Sequence, residues 1–595
     1  MSTFWCYNAQ KYARIAGEVR RRVFRQLLES LLYEGALRAE EIGEGRYAID
    51  GVDAAGAPVR YEFSAHLRYG FDRISVGSEP IRRVARDSDT EADSTTRFLS
   101  EVRDGLSHDA VLLPDFAREL EATLVNDALA QYVRTRRGDV LAGADYDTLE
   151  ATVTDGHRYH PAYKSRMGFD LDDNAAFGPE FAEPVYPVWL AARLSITHAT
   201  VSDSVLERDF LAEQLGTRTI EEFHERIRAA GGEPSDYVLL PVHPWQWRER
   251  ITHAFAPRLW AAELIVLGED PHAHRAQQSI RTLACRDTPR RAYLKLSLSI
   301  VNTSTSRALA PHTVRNAPPI SDWLHRIVAR DEYLRDELRT VLLGEVMGVA
   351  VDPPPVADLV RADSYGALAG IWRESLHTYL DPDERAVPFN GITARERDGT
   401  PLIDGWVREF GVRSWVSRLL EVSVLPVMRF LLRHGIALEA HAQNMVLLHR
   451  SGWPQRVALR DFHDGVRFSR AALAEPALCP ELAGTPEHHV NRNSFVQTDD
   501  LDLVSDFVLD AFFFINLGEL GMFLEDAYAL PEPEFWTLVR GTIEYYIQRF
   551  GGGIDKFDVF KPTIEVEQLT TRRLLPDTEL RLHRVSNPLS RGGKG

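Results

Sequence analysis

Cysteine is scarce in this chain. Cys6, Cys285 and Cys479 are the only three in 595 residues; they lie far apart and are odd in number, so they build neither a disulfide framework nor a paired-cysteine metal knuckle. A reducing compartment fits that scarcity. The first 22 residues are polar and arginine-rich, without the apolar centre of a secretory signal. The most apolar run, Phe507 to Leu524, is broken by Asp510, Asn516, Gly518, Glu519 and Gly521, short of the roughly 18 uninterrupted apolar residues that a membrane span needs. The expectation is a cytoplasmic protein with no membrane partner. Positive charge is also in deficit: 87 acidic against 69 basic residues leave a net charge of -18, which argues against nucleic acid as a partner. An anionic ligand must therefore be met by a local basic pocket. Lysine is the rarest charged residue, supplying only six of those 69 basic side chains: Lys11, Lys164, Lys295, Lys556, Lys561 and Lys594. Where lysine persists, arginine's planar fork is a poor replacement for a compact ammonium.

What is present is ordinary globular sequence, with 44% hydrophobic, 10% aromatic and 26% charged residues, and length for two to three large domains. Apolar residues three and four apart predict a helix over Lys11 to Leu32, and alternation predicts a hairpin from Arg46 to Ile49 and Val59 to Phe63. Helical spacing returns from Asp115 to Arg136. Strands are expected at Tyr237 to Val242, Ser279 to Ala284 and Tyr293 to Val301, and a proline-rich loop at Asp352 to Pro355. A helix through Trp415, Leu419, Leu420 and Leu432 ends at Gly435. A strand pair follows, Ile436 to Leu448 and Val457 to Phe462, turning at Ser451 and Gly452. Helices fill Leu501 to Phe550, and the tail from Ser590 reads as disordered. The fold class is α+β, divided as 1–150, 151–392 and 393–595.

Four segments concentrate chemistry. If Ile436 to Asn444 is a strand, its side chains alternate, so Glu439, His441 and Gln443 share one face, ending at Asn444, beside Arg460 and Asp461 of the partner strand. Glu439, Asn444 and Asp461 supply hard oxygens suited to Mg²⁺. The second segment places Lys295, Ser297 and Ser299 on the face opposite Leu294, Leu296, Leu298 and Ile300, with Ser279 and Arg281 across a hairpin. Asn302 to Arg307 follows directly, and its hydroxyls and guanidinium suit carboxylate or phosphate. The third, Gly156 to Phe169, reads as an anion-binding loop through His160, Lys164 and its arginines. Zinc is disfavoured there, because no cysteine or third histidine lies at ligand spacing. The fourth, Pro241 to Trp247, is aromatic and proline-rich, structural or functional alike.

Taken in order, these segments resemble the NRPS-independent siderophore synthetases, the IucA/IucC family. Gly156 to Phe169 is similar to the family signature G-H-P-x-H-P-x-x-K-x-R-x-G-F, with Arg158 where proline is usual. Pro241 to Trp247, Ser279 to Thr282 with Lys295, Thr303-Ser304 with Arg307, Glu439 to Asn444 and Arg460-Asp461 resemble further motifs, across roughly residues 150 to 465.

The resemblance implies a homodimeric, cup-shaped hand of thumb, fingers and palm. It implies ATP-dependent condensation of citrate or a citrate derivative with an amine or hydroxyl through an acyl-adenylate, with free citrate the favoured acid. By the same resemblance His160, Lys164, Ser279, Arg281, Lys295, Arg307, Gln443, Asn444 and Asp461 contact ATP. Thr303, Ser304, Arg307 and His441 surround the citrate carboxylates, and Glu439, Asn444 and Asp461 hold Mg²⁺. Lys295, Arg307 and His441 are the catalytic candidates. Two rivals remain. The Asn and Asp spacing loosely resembles a kinase, although no G-x-G-x-x-G loop precedes it. A non-catalytic protein retaining the nucleotide and citrate pocket is the other.

Overall fold

The apolar spacing near the amino end forms one helix, Ala9–Tyr33, whose Val23, Leu27, Leu28 and Leu31 stripe is buried. It shares a core with the helix Leu112–Arg137 and with an antiparallel sheet opened by the anticipated hairpin, Arg46–Val52 on Pro58–Leu67, with Ile49 opposite Tyr61. Tyr163 and Leu574 enter the same core, so distant parts of the chain close this unit. The computed structural model describes residues 9–153, 155–156, 158–303, 305–352, 361–489 and 494–591. Cys6, His157, Ser304, Pro353 to Pro355 and residues 592–595 lie outside the described residues.

Two antiparallel sheets share the central core. One has three strands, Leu264–Glu269, Val188–Arg193 and Tyr237–Val242. The other runs His274–Ala276, Thr282–Cys285, Tyr293–Leu296, Ala369–Arg373, Glu345–Val351 and Thr197–Val201. The helix Pro311–Arg330 lies so close on this second sheet that a Cβ added to Gly348 would stand 2.4 Å from the Val314 carbonyl oxygen. Both faces of the Tyr293–Leu296 strand are therefore dry, and every residue on it is buried. The expected strand Tyr293 to Val301 is in fact two: Leu298–Asn302 leaves this sheet and pairs with Thr305–Arg307. Likewise the strand expected from Ser279 begins only at Thr282.

In the last third, the helix Val412–Met428 continues in wider turns to Gly435, which ends it at φ 75°. Met445–Arg450 and Trp453–Arg460 form the hairpin, turning at Ser451 and Gly452 as anticipated. The strand expected through Asn444 stops at Leu438, which pairs with Val466 instead. Helical residues Leu501–Tyr528 run unbroken over 28 residues and are apolar enough to cross a bilayer, yet 83% of that apolar window is buried inside the protein. It is a core helix, wrapped by Val412–Met428 and Glu532–Phe550 within one large cluster. The terminal hairpin Thr563–Glu567 and Leu582–Ser586 had no counterpart in the sequence reading. The architecture is α+β with several antiparallel sheets.

Candidate active site

Lys295 lies mid-sheet, opposite Thr282 on one side and Ile371 on the other. Its buried ammonium lies 3.1 Å from Asp461. Asp461 follows directly on the strand Trp453–Arg460 and takes φ 66°, a left-handed conformation that a non-glycine residue keeps only where its surroundings fix it. Gly465 closes that turn, and a Cβ there would stand 2.2 Å from the Asp461 carbonyl oxygen. The second Asp461 carboxylate oxygen accepts a 2.5 Å hydrogen bond from Arg373. Arg373 in turn donates to Gln277 at 3.0 Å and lies over the Tyr293 ring.

Two further basic groups arrive from loops. Ser279 Oγ donates to Thr282 Oγ1 at 2.7 Å and accepts the Thr282 N–H, forming a turn in which Ile280 also has positive φ. Arg281 leaves that turn and donates to the carbonyls of Arg307 and Ala308, at 2.7 and 2.8 Å. This fixes the loop carrying Arg307, which itself donates to Thr303 Oγ1 at 3.1 Å. Thr303 sits at φ 66°. Left-handed residues thus mark three of the loops that build the site.

Glu439, His441 and Asn444 reach the same cleft by a turn, not by strand alternation. Glu439 N–H donates to Gly465 O at 2.9 Å, and residues 442–444 coil tightly. The Asn444 amide donates back to the Glu439 carbonyl at 3.0 Å and to its carboxylate at 3.2 Å. Such local bonds compete with an extended backbone, which is why the strand ends early. His441 Nε2 lies 3.8 Å from Glu439 Oε2. Gln443 sits within the turn, and its carbonyl accepts both Arg460 bonds, at 2.8 and 2.6 Å. Arg460 itself is anchored to Glu150 and Tyr146.

Charge in the cleft is uneven. Burial, then the neighbouring guanidiniums Arg281 and Arg373, push the Lys295 ammonium down to about 8 despite Asp461. Burial and then Arg281 push Arg307 down to about 10, and burial lowers Arg281. Burial alone would raise Asp461, but Lys295 and Arg373 hold it well below the usual carboxylate range. Glu439 keeps 39% of its side chain open. Burial, then Asp464 and Asp461, push its carboxyl up to about 8. The cleft is thus a cation excess in low dielectric, where an incoming anion is strongly favoured.

Of the expected anion contacts in the loop Gly156 to Phe169, Lys164 is held by carboxylates: it is buried between Asp127 at 2.8 Å and Glu180 at 3.3 Å, and Arg166 is bound to Glu180 and Asn174. His160 is buried in the same segment. The segment ties the amino-terminal unit to the site strand, through Met167 paired with Val301, and its basic side chains serve that tie. Pro241 to Trp247 proves structural: Trp245 donates to Asp173, and Gln246 bonds both the Ser299 side chain and its N–H. Sequence reasoning missed Arg373 and the Glu345–His463 pair at 2.6 Å. His463 and Asp464 directly follow the flagged Arg460-Asp461, a signal that was available. Arg373 carries none in its local sequence.

Residues 145–394 match the sequence model described as the IucA / IucC family, and residues 413–582 match that described as ferric iron reductase FhuF-like transporter. The chain is 43% identical over 590 residues to the 2-[(L-alanin-3-ylcarbamoyl)methyl]-3-(2-aminoethylcarbamoyl)-2-hydroxypropanoate synthase of Staphylococcus aureus, covering 97% of this chain and 94% of that protein. It is 41% identical over 581 residues to the citryl-spermidine/3,4-dihydroxybenzoyl-citryl-spermidine:spermidine ligase of Bacillus anthracis, covering 96% and 94%. The crystal structure of the petrobactin biosynthesis protein AsbB from B. anthracis superposes with a TM-score of 0.91 at 39% identity, over 99% of this chain and 98% of that one. Likeness of that extent, in sequence and in fold, shows that this chain is a ligase of siderophore biosynthesis and belongs to the IucA/IucC family.

Proposed function

We propose that this ligase activates a citrate-derived carboxylate with ATP and passes the acyl group to an amine. A carboxylate oxygen attacks the α-phosphorus and expels pyrophosphate; the amine nitrogen then attacks the acyl carbon, AMP leaves, and the nitrogen loses its proton. The observation that carries this reading is the gathering of four cations, Arg281, Lys295, Arg307 and Arg373, in one cleft, two of them paired to Asp461. Adenylyl transfer to an organic acid needs such preorganised positive charge where negative charge develops. In this reading Arg281 and Lys295 meet the phosphates, Ser279 shapes their turn, and Arg307 with Thr303 and His441 meets the acid.

Magnesium fits the residues present. Mg²⁺ usually takes one or two protein carboxylates plus substrate phosphates. Glu439, raised by burial and then by neighbouring carboxylates, is a group that a cation would relieve, and the Asn444 amide nitrogen points at Glu439, which leaves its carbonyl oxygen as a second donor. Both Asp461 oxygens are already paired, so Asp461 serves better as the anchor of Lys295. The ion, when bound, neutralises phosphate charge. Among the described residues no cluster of three or more His, Cys, Asp or Glu is placed to hold a metal ion.

The acyl donor in this proposal is a citryl monoamide in preference to free citrate, because one relative is named for acting on citryl-spermidine and another for a product bearing two amide arms. A cytoplasmic homodimer and the division at about residues 150 and 392 belong to the same reading. The test is a panel of citrate and citryl monoamides with hydroxylamine as nucleophile, scored for hydroxamate and nucleotide products. AMP and pyrophosphate are expected, fastest with a monoamide. ADP would make the protein a phosphotransferase instead, and nucleotide binding without turnover would make it a binding protein.

A further inference from the structure

One buried pair beside the cleft has no part in the chemistry above: Glu345 and His463. Glu345 opens the strand Glu345–Val351 directly opposite Arg373, while Lys295 stands opposite Ile371, two residues before Arg373 on the same strand. Directly opposed residues share a face of a sheet, and so do residues two apart on one strand. Lys295, Arg373 and Glu345 therefore point to one side. The register slips between Glu345 and Met347, a bulge at this end of the strand, and the Glu345 N–H donates to Ser321 Oγ at 2.8 Å, which fixes its backbone on the helix Pro311–Arg330.

The turn after the strand Trp453–Arg460 is held at three successive residues. Asp461 pairs with Lys295 and Arg373. Phe462 is buried in the large core. His463 uses both Glu345 oxygens: its backbone N–H donates to Oε2 at 2.8 Å, and its ring Nδ1 lies 2.6 Å from Oε1. A carboxylate offers only acceptors, so that ring nitrogen carries the hydrogen. Asp461 keeps φ 66°, a conformation that relaxes unless its neighbours forbid it. On its amino side the strand forbids it; on its carboxyl side the two-pronged bond to Glu345 does. The charge of Glu345 also acts on Lys295 and Arg281 in the sense that keeps both protonated. The pair thus decides where the Asp461 carboxylate, and with it the Lys295 ammonium, can sit.

We propose that Glu345 and His463 are positioning residues for Lys295: they clamp the 461–463 turn on the sheet and so hold the ammonium where a nucleotide phosphate meets it. The inference rests on the adenylating-ligase reading above. The experiment is ATP–pyrophosphate exchange with a citryl monoamide and no nucleophile, beside thermal midpoints. His463→Ala should lower kcat/KM for ATP by about tenfold to a hundredfold, with the KM of the citryl donor within about twofold of wild type. His463→Asn, whose side-chain N–H replaces the ring donor, should restore kcat/KM to within about threefold of wild type. Glu345→Gln keeps an acceptor for the His463 N–H and should lose about threefold to tenfold, the same reading from a milder change. In a Lys295→Met background, His463→Ala should cost less than about threefold further, because a residue that acts through another adds little once that other is gone. Additive losses overturn the proposal. So does a lowered thermal midpoint with wild-type exchange, the mark of a purely structural pair. Equal losses in His463→Asn and His463→Ala would make the imidazole a proton carrier and overturn it too. If the wild type exchanges no pyrophosphate with any acid, the ligase reading fails and takes this inference with it; exchange that is present but indifferent to His463 sinks the inference alone.

Discussion

Lys164 and Lys295 are both buried, and each lies on an aspartate, at 2.8 and 3.1 Å, yet their surroundings are opposite. Lys164 has two carboxylates, Asp127 and Glu180, in a network where Arg22 is held above its ordinary range although burial opposes it. Lys295 shares its one aspartate with Arg373, beside Arg281 and Arg307, and burial lowers Lys295, Arg281 and Arg307. A balanced network is complete without a ligand, whereas an unbalanced one is complete only when an anion arrives. Burial and ion pairing are common to both lysines, so neither feature separates a structural lysine from a functional one. The sign of the surplus does.

That contrast breaks if the two lysines respond alike to removal. Lys164→Met leaves two buried carboxylates short of a cation and should destabilise the protein by about 3–5 kcal/mol, read as a lowered thermal midpoint, while the rate per folded molecule stays close to wild type. Lys295→Met should do the reverse. Pyrophosphate release should fall by about a hundredfold or more with the thermal midpoint held or raised, because an underpaired buried ammonium is replaced by an apolar chain. Lys295→Arg should not restore the rate, since the planar fork does not match a compact ammonium.

Arg307→Gln sharpens the comparison within the cleft. Its loss should lower kcat/KM for the acid by about tenfold to a hundredfold, measured by hydroxamate formation. The smallest effect is the pH response. With Lys295 lowered to about 8, ATP affinity should weaken severalfold as pH rises through 8 and the ammonium loses its proton. Stability runs the other way: the unfolded chain still binds that proton between about pH 8 and 10.5 while the folded one does not, so this lysine contributes rising stability across the window. Thermal midpoints of wild type and Lys295→Met across pH 8 to 10 check the sign.

Local pattern made much of this legible. Spacing gave the first helix, the two hairpins and the core helices, because one buried face imposes its own period. Lysine scarcity pointed to Lys295 and to Lys164, but not to the partners of Lys164: Asp127 and Glu180 are brought to it by tertiary folding, which no spacing announces. The Glu439 to Asn444 group was found through a strand that ends at Leu438. The residues converge all the same, because the Asn444 side chain folds the segment back on Glu439. Arg373 escaped notice since its role depends on the strand Ala369–Arg373 lying next to Tyr293–Leu296, a pairing across some eighty residues of chain.

The most direct test follows oxygen. With a citryl donor labelled with ¹⁸O in its carboxylates, attack of that carboxylate on the α-phosphorus followed by amide formation should leave one ¹⁸O in the released AMP and none in pyrophosphate. Unlabelled AMP, or label found in inorganic phosphate alongside ADP, would contradict adenylation and with it the role assigned to the cation excess around Lys295.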